Sequence, residues 1–209
     1  MVKPFENITE KNKDKLFKLF HTDILTYKEG EDLSLMLMDK NSIGIIVKGY
    51  IQIIKENLNG SRLVIDELYE DDILSIKTIY VQDSEYEVLI KENTKIVFFD
   101  LEQLQNYSGN EKGYYNQFIK NLFLILNDKI NEKNERIQIL TKKTIRNRLL
   151  EYFSIIKTKN GSNNIYLPFS FMALADYLGV DRSAMSRELG YLKEEGFIEI
   201  KGKRIKLTY

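Results

Sequence analysis

The chain has 209 residues, 43% hydrophobic and 30% charged, the ordinary balance of a globular protein with room for one large domain or two small ones. It has no cysteine and one histidine, His21, and no apolar run near the ~20 residues of a membrane span, so disulfides, thiolate metal sites, multi-histidine centres and spanning helices are excluded. Net charge is zero, but from Leu140 to Tyr209 there are 13 Lys/Arg against 7 Asp/Glu, which leaves an acidic remainder of 18 against 24 and suggests a polyanionic partner at the basic end.

A short helix is expected over residues 9–20, with Leu16, Phe17, Leu19 and Phe20 as its apolar face. From Ile24 to Asp100 the chain reads as short strands of a sandwich or rolled sheet. One run is 43–47, then Lys48-Gly49 as a break, then 50–54. Asn57 to Gly60 reads as a hairpin loop before 63–65, and later runs are 87–90 and 95–99. After Gly113 the period changes. Phe118, Leu122 and Ile125 recur at helical spacing, with Tyr115, Ile119, Leu126 and Ile130 beside them. A stripe this wide can serve both the sheet and a partner helix, and it fades at Asn131 to Glu135. A further helix is expected over about 141–156, followed by the loop Lys159 to Asn164.

The stretch LPFSFMALADYLGVDRSAMSRELGYLKEEGFIEI, from Leu167 to Ile200, carries the chemistry. Ser170 can cap a helix whose apolar face is Leu174, Ala175 and Leu178. Gly179 permits the turn, Asp181 caps a second helix, and Met185, Leu189 and Leu192 bury it. A small residue, a glycine four later and an apolar residue six later is helix-turn-helix spacing. Arg182, Ser183, Ser186 and Arg187 then face outward, and arginine can bond guanine bidentately. Residues 197–207 alternate around Gly202 as a hairpin with Lys201 and Lys203 at a basic tip, a wing suited to phosphates.

These residues resemble the Crp/Fnr family of bacterial transcription regulators. The likeness covers nearly the whole chain, by motif at the C-terminus and by element order before it. It implies an α+β fold: an antiparallel β-roll sensor-like domain over 1–110, a long dimerisation helix over 111–138, and a winged helix-turn-helix over 139–209. It implies a homodimer joined through Tyr115, Phe118, Ile119, Leu122, Ile125 and Leu126, bound to an inverted repeat in double-stranded DNA. By position, Ser170 matches a phosphate-contacting residue, and Arg182, Ser183, Ser186 and Arg187 match base- and phosphate-reading positions. RNA polymerase and a small-molecule effector of unknown kind are the further partners implied.

The effector cassette departs from the cyclic-AMP-binding members. Ser75 and Ile76 stand where Gly-Glu is expected, and Tyr86 and Glu87 near the place of Arg-Ser. A phosphate site without its arginine, and with a glutamate added, repels its anion, so cyclic AMP is not expected as effector. No cofactor, metal or membrane partner is expected, the location is expected to be the cytoplasm, and no enzymatic constellation is present in the sequence. The competing reading is a ligand-binding or interaction module whose winged helix docks protein and not DNA.

Overall fold

A computed structural model describes residues 3–38, 41–56, 62–75, 86–107, 113–167 and 170–209. Helix α1 (Glu10–Leu19) starts where Thr9 accepts a hydrogen bond from the Asn12 amide, and it buries Leu16. Strand β1 (Asp23–Tyr27) and the short α2 (Ser34–Met38) precede two 15-residue strands, β2 (Ser42–Glu56) and, after β3 (Arg62–Leu68) and β4 (Ile73–Ser75), β5 (Tyr86–Asp100). The sheet order is β1-β5-β2-β3, with β4 also on β2, and every pairing is antiparallel. Helices α3 (Leu101–Asn106) and α4 (Gly113–Leu140) follow.

Alternation along β2 and β5 sorts their side chains into two cores. Ile43, Ile45, Val97 and Phe99 join Leu16, Phe20, Phe118 and Leu122 on one face. Ile46, Ile51, Ile53, Val88, Ile90, Ile96 and Phe98 fill the interior of the roll. Ile46 and Ile51 share a face although five residues apart, so β2 carries one extra residue between them. The pairing with β5 shifts there, at Ile46/Lys48, Lys48/Tyr50 and Tyr50/Ile51. Lys48-Gly49, expected to separate two strands, is therefore a bulge inside one. Gly49 has φ 111°, and a Cβ there would lie 2.6 Å from the Thr94 Cα. The runs at 87–90 and 95–99 are likewise one strand, and the Asn57–Gly60 loop lies outside the described residues.

Helix α4 does not stop where its apolar stripe fades; it continues to Leu140. The chain divides into two units, Met1–Asp128 and Lys129–Tyr209, and the boundary falls within this helix. Phe118, Leu122 and Ile125, expected at a dimer interface, are buried within their own chain. Phe118 and Leu122 close the core under the sheet, and the Tyr115 hydroxyl donates to the Leu104 carbonyl at 3.0 Å. That side of the expected interface has no surface to offer a partner. The exposed apolar residues of α4 are Ile119, Phe123, Leu126, Ile130 and Ile137.

The second unit contains α5 (Ile145–Asn160), β6 (Asn164–Tyr166), α6 (Phe171–Leu178), α7 (Arg182–Glu194), β7 (Ile198–Lys201) and β8 (Arg204–Leu207). Helix α5 begins later than the expected 141, because Thr144 caps it by accepting from the Asn147 amide. Gly161 closes it with φ 61°. Its Leu149, Tyr152 and Phe153 join Ile139, Leu174, Leu178, Met185, Leu192 and Ile205 in a single core. Burial pushes the Tyr152 hydroxyl up to about 12, with the neighbouring Tyr177 adding to the shift.

Candidate nucleic-acid interface

The helix-turn-helix is punctuated by three local devices. Ser170 accepts from the Ala173 amide at 3.2 Å and starts α6. Gly179 adopts the left-handed conformation, φ 61°, and the Val180 amide donates to the Ala175 carbonyl across the turn. Asp181 accepts from the Ala184 amide at 2.8 Å and starts α7. Ala175, Leu174 and Leu178 of α6 then meet Met185, Leu189 and Leu192 of α7 in the core.

This packing leaves the other side of α7 in solvent. Arg182, Ser183, Ser186 and Arg187 are all exposed in its first two turns, as is Ser170 at the start of α6. Arg182 reaches Asp176 at 3.4 Å, but both side chains are more than half exposed, so the pair holds the guanidinium only weakly. Arg187 has no ion-pair partner among the described residues. The far end of α7 is braced instead. Arg146 donates to Glu195 through both terminal nitrogens and lies 3.6 Å from Glu188. The Arg146 hydrogen bond holds the Glu195 carboxyl below its usual range, and the same bond raises the Arg146 guanidinium.

Strands β7 and β8 form the expected hairpin, with φ 59° at Gly202 and with Lys201 and Lys203 exposed. The sheet is larger than a hairpin. β6, within a segment expected to be loop and its flank, pairs with β8 to give the order β6-β8-β7. Register aligns Tyr166, Arg204 and Lys201 in one exposed row beside the tip. Lys206, one row back, pairs with Glu199 at 3.0 Å. Arg204 was legible as a further cation of the basic hairpin; Tyr166 gave no signal, because three residues are too short for an alternation pattern.

In the β-roll, Ile76, Lys77 and the side chain of Ser75 lie outside the described residues. Tyr86 packs against the interior core. Register puts Lys55 opposite Tyr86, and the Lys55 ammonium lies 5.3 Å from the ring centre. Glu87 alternates to the other face from Val88 and Tyr86. Tyr86, not Glu87, thus holds the interior position. Lys91 is exposed.

A family model described as the Crp-like helix-turn-helix domain matches residues 147–208. The winged helix is thus similar to Crp-like helix-turn-helix domains. The probable transcriptional regulator flp of Lacticaseibacillus casei is 37% identical over 60 residues, 29% of this chain and 27% of that protein. The transcriptional activator protein FnrL of Cereibacter sphaeroides is 30% identical over 86 residues, 37% of this chain and 35% of that protein. The chain thus matches about a third or less of the length of these curated relatives. A solved structure of CprK complexed with OCPA shares the fold at TM-score 0.68 and 17% identity, covering 94% of this chain and 92% of that one. The matched model and these relatives make the chain similar to Crp/Fnr-type transcription regulators, and the solved structure shows the shared α+β fold. Among the described residues, no helix is long and apolar enough to cross a membrane.

Proposed function

We propose that this chain is a sequence-specific DNA-binding transcription regulator, acting in the cytoplasm as a homodimer on an inverted repeat. The carrying observation is the exposed set Arg182, Ser183, Ser186 and Arg187 at the start of the second helix of a Crp-like helix-turn-helix domain. In this reading residues 1–110 are a sensor-like β-roll, the long helix joins the dimer, and 139–209 bind DNA. Ser170 keeps its hydroxyl proton for a phosphate while its oxygen caps α6. Lys201, Lys203 and Arg204 meet the backbone beside the half-site. RNA polymerase is the expected protein partner.

The dimer seam of this reading is Ile119, Phe123, Leu126, Ile130 and Ile137. With position 133 between Ile130 and Ile137, their spacings run 4, 3, 4, 3 and 4, the alternation of the seven-residue repeat of a coiled coil. Lys133 takes the remaining seam position, where a polar residue favours one register.

Selection from random duplex DNA by the full chain tests the function: an inverted repeat with half-site centres about 34–36 Å apart is expected. On that sequence Arg182→Ala or Arg187→Ala is expected to lose about 1–3 kcal/mol, the base-reading one also relaxing sequence preference. Lys203→Ala is expected to weaken all sequences alike and to lower the salt slope by about 1. Wild-type affinity in both arginine variants would refute the placement of α7 in the groove.

The regulator works without cyclic AMP in this reading. A buried cyclic phosphate without a paired cation costs several kcal/mol, and on the interior face Tyr86 stands where arginine would pair with it. Calorimetry with cyclic AMP and cyclic GMP is expected to show no saturable binding. Saturable binding of either, with tighter operator binding, would overturn this, and Lys55 would then be the cation to examine.

A further inference from the structure

Arg148 occupies the first turn of α5 and is half-buried. Its guanidinium makes four hydrogen bonds, all to backbone carbonyls at the ends of two other helices. Nε donates to Lys142 at 3.0 Å and Nη2 to Leu140 at 3.2 Å, where α4 ends. Nη1 donates to Leu178 at 2.9 Å and Gly179 at 3.2 Å, where α6 ends. Carbonyls in the last turn of a helix have no intrahelical donor, and a cation there also opposes the negative end of the helix dipole. A planar fork with five fixed donors can serve two such ends at once; an ammonium cannot match that geometry. The two ends are also in direct reach: a Cβ on Gly179 would sit 3.5 Å from the Leu140 side chain. Asp181, which starts α7, is only two residues past Gly179.

We propose that Arg148 is a positioning residue that fixes the recognition helix relative to the end of α4, and so sets the half-site spacing the dimer accepts. The proposal rests on the DNA-binding reading above. With α4 paired to its copy, the direction in which each α7 leaves the turn determines the separation of the two recognition helices. Loss of the fork frees the turn about the α4 end without removing any side chain from the DNA-facing surface.

The test uses the full chain and the inverted repeat it selects, in three forms: the selected spacing, one base pair longer and one shorter at the centre. Wild type is expected to lose about tenfold or more in affinity for either altered spacing. Arg148→Lys and Arg148→Met are expected to lose less than about threefold on the same change. Their affinity for unrelated duplex, its salt dependence and their dimer mass are expected to match wild type. Variants that keep the full spacing penalty would overturn the proposal. So would variants that lose specific and non-specific affinity together as they melt, since that marks Arg148 as a purely structural contact. A wild type that selects no inverted repeat would bring down the DNA-binding reading itself, and this result is seen before any variant is made.

Discussion

A protein carrying Phe123→Asp and Leu126→Asp is expected to be a monomer, with operator affinity reduced at least about a hundredfold. Phe123 is 70% exposed and Leu126 43%, so neither contributes to the chain's own core. In a paired helix each is buried, at about 1.5–3 kcal/mol per side chain. Two residues on each of two chains make about 6–12 kcal/mol of association, and four carboxylates at the seam add repulsion. The hundredfold loss follows because one half-site no longer raises the effective concentration at the other. Light scattering reads the mass and a shift assay the affinity. Thermal melting separates this pair from Phe118 or Leu122, whose truncation is expected to lower stability by about 2–5 kcal/mol. A double-aspartate variant that stays dimeric would refute the seam.

Gly49→Ala is expected to lower the stability of the β-roll by about 3 kcal/mol or more. At φ 111° alanine is strained before any contact is counted. The added Cβ would then lie 2.2 Å from the Thr94 Oγ1 and 2.6 Å from its Cα. Thr94 is fully buried, and its hydroxyl is committed to the Glu92 carbonyl at 2.6 Å. The Cβ therefore meets the Thr94 backbone, and no rotamer change relieves it. A fall in melting temperature of about 10 °C is expected, with the C-terminal unit's own transition unmoved. An unchanged melting temperature would show that the bulge relaxes to accept a side chain.

The winged helix was the most legible part of the sequence because its signals are local. Ser170, Gly179 and Asp181 each act on residues within three or four positions, and all three are found in the roles expected of them. Distant partners are what the rest depends on. Lys48-Gly49 looks like a turn because glycine marks turns and bulges alike; only the pairing with β5 distinguishes them. The two apolar rows on α4 are equally apolar, so periodicity could not say which one the sheet covers. Arg148 left no trace in residue-type patterns, since its partners are carbonyls that every residue carries.

The contact of the N-terminal segment with α4 bears on how the chain folds as it is made. The Phe5 ring stacks on Phe118 at 5.5 Å, and Asn121, almost fully buried, donates to the Pro4 carbonyl at 3.1 Å and the Glu6 carbonyl at 2.8 Å. Phe99 lies against both rings. The core beneath the sheet is thus closed by its first and last contributors, more than a hundred residues apart, and it stays open until α4 has left the ribosome. Such long-range closure is slow and exposes apolar surface while it waits. The helix-turn-helix core, by contrast, draws all its members from Ile139 onward and closes over short loops. The unit from Lys129 to Tyr209 is expected to be the quicker of the two to fold.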